Sequence, residues 1–293
     1  MRPATLALLL SLAPSVPALA ATDWPGVEAA LGRPAVVQPD GVRRFGFPRT
    51  DLAVTLDGVA LRPGLALGGW LAFAEHDGAA EVMGDLVLTQ PEVTPVLRKL
   101  NEGGLSATAL HNHLLRAAPA TMYLHVHGHG DAVALAGALR AALAESATPL
   151  AAPAAPMAAA APPGFDTAAL DRILGGAGRV NGGVYQLVLP RPERIREAGM
   201  ETPASLGTGM AINLQPAGEG RVATTGDLVL RAEEVEPVQR ALLAHGIEVT
   251  ALHNHTLGEE PRLFYLHFWG LGPLEQVAAG LRAALDRTAV RHG

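Results

Sequence analysis

Thr108-Ala109-Leu110-His111-Asn112-His113 returns, residue for residue, as Thr250-Ala251-Leu252-His253-Asn254-His255, 142 positions further on. The same offset relates Gly84-Asp85-Leu86-Val87-Leu88 to Gly226-Asp227-Leu228-Val229-Leu230, and Tyr123-Leu124-His125 to Tyr265-Leu266-His267. It also relates Leu139-Arg140-Ala141-Ala142-Leu143 to Leu281-Arg282-Ala283-Ala284-Leu285. Self-similarity at one fixed spacing is the signature of a repeated structural unit, so the chain reads as a tandem duplication. The repeats are placed at 24–143 and 165–287. Between them, 144–164 is rich in Ala and Pro, and Pro149, Pro153, Pro156, Pro162 and Pro163 forbid a continuous helix and favour an extended linker.

Composition narrows the function classes. The 293 residues, 49% hydrophobic and 17% charged, fit two ordinary globular domains and exclude a disordered chain, a coiled coil or a collagen. A net charge of −6 with scattered Lys and Arg offers no basic patch for a phosphate backbone, so no nucleic-acid partner is expected. The absence of cysteine rules out disulfides, thiolate metal ligands, a cysteine nucleophile and a lipid anchor. Any metal must be held by nitrogen and oxygen. There is neither a Gly-x-Ser-x-Gly nucleophile motif nor a glycine-rich phosphate loop.

Arg2, the apolar run Leu6 to Leu12 and the small-x-small pattern Ala18-Leu19-Ala20 read as a secretory signal peptide over 1–20. Cleavage near Ala20 implies a secreted or periplasmic product. The run is too short, and too broken by Pro14 and Pro17, to span a bilayer, which takes roughly 20 apolar residues. No other stretch reads as a membrane span.

Periodicity assigns the elements of each repeat. Short helices are predicted over 23–31 and 166–174, each opened by an Asp suited to the N-cap. Strands follow near 42–47 and 184–189, then 69–75 and 209–214. Val82 to Leu88 is a strand, and a helix opened by Pro91 runs to Asn101 before Gly103 and Gly104. Strands 105–113 and 121–128 lead to a last helix over 131–143, with Asp131, or Pro273 in the second repeat, at its start. This order predicts an α+β fold: a pseudo-twofold duplication of a two-layer, ferredoxin-like sandwich with helices on one face of an antiparallel sheet. Asp85 and Asp227, each after a Gly, read as turn residues, with a supporting role beside the histidines as the alternative. Glu75, His76 and Asp77 read as a solvated loop.

Eight of the eleven histidines fall in the paired strands of the two repeats. Because side chains alternate along a strand, Ala107, Ala109, His111 and His113 are predicted on one face, opposite Thr108, Leu110 and Asn112. Tyr123, His125 and His127 share a face on the next strand. An even register, with Tyr123 opposite His111, places all these imidazoles on the side away from the helices. The candidate metal ligands are His111, His113, His125 and His127. His129, Tyr123, His253, His255, His267, Tyr265 and Trp269 are candidate ligand-binding residues. The second repeat's face is predicted to carry Val249, Ala251, His253, His255, Tyr265, His267 and Trp269. The two histidine faces are expected to meet in a cleft between the repeats. The first repeat, richer in histidine, is expected to be the metal-competent half. Asn112 and Asn254 are expected to bond loop backbone at the strand ends.

The repeated Thr-Ala-Leu-His-Asn-His, Tyr-Leu-His-Val-His-Gly-His-Gly-Asp at 123–131 and Phe-Tyr-Leu-His-Phe-Trp-Gly at 264–270 resemble the LppY/LpqO family of secreted bacterial proteins. The resemblance spans nearly the whole mature chain and implies an extracytoplasmic tandem-repeat protein without naming a reaction. Two functions follow from the residues. One is a metal-dependent hydrolase, with zinc or another divalent transition metal activating water, although no Glu general base accompanies the histidines. The other is a periplasmic protein that binds a metal ion or small molecule without catalysis. A third reading makes the histidines a hydrogen-bonded seam.

Overall fold

The computed structural model describes residues 21–76, 78–151 and 162–290. The predicted signal peptide, residues 152–161 of the predicted linker, and Asp77 lie outside the described residues. In the first half, α1 (Trp24–Leu31) precedes β1 (Val36–Val37), β2 (Arg43–Pro48), β3 (Thr55–Leu56), β4 (Val59–Ala60) and α2 (Pro63–Ala66). There follow β5 (Gly68–His76), β6 (Ala79–Thr89), α3 (Gln90–Glu102), β7 (Ser106–His111), β8 (Thr121–Gly130) and α4 (Ala132–Leu143). The second half repeats the pattern with α5 (Thr167–Leu174), β9 (Arg179–Asn181), β10 (Val184–Leu189), β11 (Arg196–Glu197), β12 (Met200–Glu201) and a 3₁₀ turn, Ala204–Leu206. It continues with β13 (Met210–Pro216), β14 (Arg221–Leu230), α6 (Ala232–Ala244), β15 (Glu248–His253), β16 (Phe264–Pro273) and α7 (Leu274–Leu285).

The protein is a mixed α+β duplication built on two six-stranded antiparallel sheets, ordered β1-β2-β5-β6-β8-β7 and β9-β10-β13-β14-β16-β15. Local sequence starts the helices as expected. Asp23, Asp131 and Asp166 accept from Gly26, Ala134 and Ala169 backbone N–H groups at 2.8–3.0 Å, and Glu92 and Glu234 accept from the N-cap N–H of Thr89 and Arg231 at 2.7 Å. The apolar stripe of α4, Leu135, Leu139 and Leu143, packs with Val96 and Leu100 of α3 and Leu31 of α1 against Phe45, Phe73, Leu86 and Val126 of the sheet. α6 and α7 do the same in the second half through Val238, Leu242, Leu281 and Leu285. Burial of each such side chain contributes about 1.5–3 kcal/mol.

A buried clamp repeats as well. Arg49 holds Asp51, Glu92 and the Val87 carbonyl; Arg191 holds Glu193, Glu234 and the Val229 carbonyl. Between the halves, the β3–β4 hairpin and α2 lay Val54, Leu56, Leu61 and Leu65 against Val184, Ala223 and Trp269. Leu206 in return covers Val42, Ala72, Ala74 and Met83.

Several expectations need correction. Each edge strand carries a bulge, at Thr108 between Ala107 and Ala109 and at Thr250 between Val249 and Ala251. The bulge reverses facing on its N-terminal side, so Ala107 and Val249 pack into the cores instead of joining the histidine face. Leu110 and Leu252 are about half exposed, at 48% and 45%, not covered by helices. Asp85 and Asp227 lie in the interiors of β6 and β14, not in turns, and Glu75 and His76 end strand β5.

Candidate metal centre

The predicted even register holds beyond each bulge: Ala109 pairs with His125 and His111 with Tyr123, as Ala251 pairs with His267 and His253 with Tyr265. β6 and β14 then set Asp85 opposite His125 and Asp227 opposite His267. The preceding glycines make this possible by close approach. A Cβ on Gly84 would stand 2.6 Å from Leu71 and 2.8 Å from the Trp70 carbonyl, and one on Gly226 would strike the Ala211 carbonyl and the Phe268 ring.

Edge strands β7 and β15 approach each other where the halves meet. The bulge residue Thr108 donates its hydroxyl to the His255 carbonyl. Asn254 donates to the carbonyls of Thr108 and Thr256, both at 2.9 Å, and Asn112 accepts from Leu114 N–H at 2.8 Å. Both asparagines thus bond strand-end backbone, and one of them stitches the repeats together.

Across this seam the imidazoles stack. His111 faces His253 at 3.5 Å between centroids, His113 faces His267 at 3.5 Å, and His125 faces His255 at 3.8 Å. Tyr123 and Tyr265 close the ends, stacking on His113 and His255 at 3.5 and 3.4 Å. The cluster therefore takes three histidines from each half, although the histidine count favours the first repeat as the metal-competent half.

Four donor groups form among the described residues, each with ligand atoms within 4.8 Å of one another: His111, His113, His253 and His267; His125, His253 and His255; Asp85, His113 and His125; Asp227, His255 and His267. The last two are the same set written twice. Nε2 of His113 lies 2.8 Å from Nε2 of His111, and Nε2 of His267 lies 2.8 Å from that of His253. Nitrogens sharing one zinc ion at about 2.0–2.1 Å stand roughly 3 Å apart, so the spacing suits a common ion.

The electrostatics suit a cation too. Burial, reinforced by neighbouring imidazoles, pushes His111 down to about 2 and His253 down to about 3. It holds His113, His125 and His267 below the usual histidine value as well. These rings are neutral at pH 7 and present lone pairs. Burial and the Asp227 charge push Asp85 up to about 8. Asp227 stays ionised: His267 and His255 outweigh its burial and lower it. Among the described residues, both ring nitrogens of His125, which is 2% exposed, lack a hydrogen-bond partner, as do His111 Nδ1, Asp85 Oδ1 and Asp227 Oδ1. Buried polar atoms left without partners are costly, and a bound ion would satisfy them.

Other predicted residues sit elsewhere. His127 bonds Glu81 at 3.1 Å and belongs to none of the four groups, and His129 is exposed. Trp269 donates its indole N–H to Asp57 at 3.0 Å within the apolar seam rather than stacking on a histidine. Asp85 and Asp227 are the members that strand reading underrated. A charged residue at an inward position of an otherwise apolar strand was the available signal.

The chain belongs to the family described as Domain of Unknown Function (DUF1259), which matches it twice, over residues 25–145 and 168–287. No curated protein sequence matches it. Among solved structures, the trimeric bacterial microcompartment shell protein PduB is similar over 93% of this chain and 91% of its own, at 14% identity and a TM-score of 0.19. EtuB from Clostridium kluyveri is similar over 94% and 91%, at 9% identity and the same TM-score. Superpositions that loose carry no functional argument. No helix among the described residues is long and apolar enough to cross a membrane.

Proposed function

We propose that this is a secreted or periplasmic protein, of the kind its LppY/LpqO resemblance implies, that holds a divalent transition-metal ion between its two repeats. Zinc and copper are the ions that imidazole-rich sites suit. The observation that carries the reading is His125: a buried imidazole with neither nitrogen partnered among the described residues, grouped with the donor atoms of His113, His253, His255 and Asp85. Burial of His113, His125, His255 and His267 favours a holding site over a catalytic one, since structural metal sites are closed and catalytic ones keep an open position. The same reading takes 24–143 and 165–287 as the domains, 144–164 as their linker and 1–20 as the signal peptide. Each domain is read as a two-layer, ferredoxin-like sandwich, from the order β6, α3, β7, β8, α4.

Hydrolysis is the second reading. Its support is Asp85, a carboxyl group that still carries a proton near neutral pH and lies beside His113 and His125. With a metal-bound water it would supply the acid–base partner that the sequence lacks elsewhere.

Elemental analysis of untagged protein recovered from its export compartment tests the binding reading. Stoichiometric zinc or copper is expected, lost in His111→Ala and His125→Ala. Metal-free protein that also fails to take up either ion on dialysis sinks it. Turnover of esters, phosphate esters or peptidoglycan fragments by loaded protein would favour the second reading.

A further inference from the structure

In the second half each of the three central imidazoles is held through its Nδ1. His253 donates it to the Asn254 carbonyl at 2.8 Å, His255 to the Gly207 carbonyl at 3.3 Å, and His267 to the Gly226 carbonyl at 2.8 Å. A carbonyl oxygen only accepts, so a neutral ring bonded in this way carries its proton on Nδ1 and its lone pair on Nε2. Such donation from the far nitrogen is what orients a metal-ligating histidine and fixes its tautomer.

The nitrogens left bare point at groups that cannot donate to them. Nε2 of His267 lies 2.8 Å from Nε2 of His253, and Nε2 of His255 lies 3.1 Å from Asp227 Oδ2. With the protons on the far nitrogens, the first contact sets lone pair against lone pair and the second sets a lone pair against a carboxylate. Both need a positive charge between them. His255 Nε2 and Asp227 Oδ1 are buried without a hydrogen-bond partner among the described residues, and His255 and His267 are only 3% and 2% exposed.

This set is separate from the one in which Asp85 joins His125. The ligand atoms of Asp227, His255 and His267 lie within 4.8 Å of one another, as do those of Asp85, His113 and His125, and the two sets share no residue. No group among the described residues contains both carboxyl groups, so one ion does not serve them both. The group of His111, His113, His253 and His267 takes one member from each set and links them. From these observations, and resting on the reading of the cluster as a metal centre, we propose that the protein holds two divalent transition ions. One is the ion at His125, and the second sits on Asp227, His255 and His267. Two imidazoles and a carboxylate suit zinc and its first-row neighbours, and each ion has a carboxyl group of its own to offset its charge.

Equilibrium dialysis of the untagged mature chain, stripped by a chelator and then brought to equilibrium with dilute zinc, tests the proposal with elemental analysis as the readout. Wild-type protein is expected to hold two zinc ions per chain. His125→Ala, which gives up the first ion, should keep one, and Asp227→Asn should also keep one. Should Asp227→Asn not fold, His267→Gln takes its place, and the wild-type count needs no substitution at all. No zinc in wild type would sink the metal reading itself. A single zinc in wild type, or two that Asp227→Asn leaves in place, would overturn the second site and leave the metal reading standing.

Discussion

His111 and His253, equivalent positions of the two repeats, lie face to face with ring centroids 3.5 Å apart and planes 23° from parallel. Exchanging the halves leaves this pair in place and turns the His113–His267 stack into the His255–His125 stack. A pseudo-twofold axis thus passes through the candidate metal centre, and the predicted meeting of the two histidine faces takes this form.

His111 and His253 belong to one donor group, so their removals should not add. His111→Ala and His253→Ala are each expected to weaken metal binding by more than the roughly 10–100-fold that loss of an outer partner costs. The double variant should be little worse than either single one. Competition titration against a chromogenic chelator gives the three affinities, and strictly additive losses would separate the two rings into different sites.

Acid should destabilise the metal-free protein. In the unfolded chain the imidazoles take protons below about pH 6.5, whereas burial holds folded His113 and His125 well below that value, lowers His267, and puts His111 down to about 2 and His253 down to about 3. The unfolded state then binds more protons, and stability falls as pH falls, by up to about 2 kcal/mol at pH 5 for each of His111 and His253. Asp85, pushed up to about 8, acts the other way. Its contribution is present below the unfolded carboxylate value and lost as pH rises through 8, but it is one proton against five. Urea midpoints from pH 7 to 5 check the balance; a flat or rising series would contradict the buried neutral rings.

Arg49→Ala should cost about 3–5 kcal/mol, because it leaves Glu92 and Asp51 without their buried partner. Glu92 also accepts from Ala147 N–H at 2.8 Å, and Glu234 from Ala289 N–H at 2.8 Å. The clamp therefore ties down the segment after the last helix in each half. Arg191→Ala is expected to cost the same within error, and denaturant unfolding measures both.

Gly84→Ala is predicted to lose about 1–3 kcal/mol through overpacking against Leu71 and the Trp70 carbonyl. Gly226→Ala should lose at least as much, since its obstacle is backbone. Thermal unfolding of the metal-free variants reads the effect, and neutrality at either position would remove the close-approach account of the Gly-Asp motif.

The repeat, the helix starts and the strand order were legible because each rests on local pattern: alternation, an N-cap Asp, a stopping Gly. The common face of His111 and His125 was legible for the same reason, through the parity of register. Thr108 was not, because a bulge is an irregularity in the pairing of two strands, which one strand's pattern does not contain. Asp85 was misread since Gly-Asp is ordinary turn chemistry, whereas Gly84 serves a neighbouring strand's carbonyl. The equal sharing of the site depends on how two sheets dock, and histidine counts per repeat carry no information about that. Arg49 and its carboxylates are 2 and 43 residues apart, beyond the reach of any periodicity.

Because the central stacks exchange under a half-turn, they have the form of an isologous contact between identical subunits. A polypeptide of half this length, carrying only one Thr-Ala-Leu-His-Asn-His, would gather such a ring cluster by associating with itself. Joining two such subunits end to end secures their encounter at any concentration and releases each from being its partner's copy. Glu81 beside His127 on one side, and Trp269 packed in hydrocarbon on the other, are the divergence that covalent fusion permits and an obligate symmetric homodimer forbids.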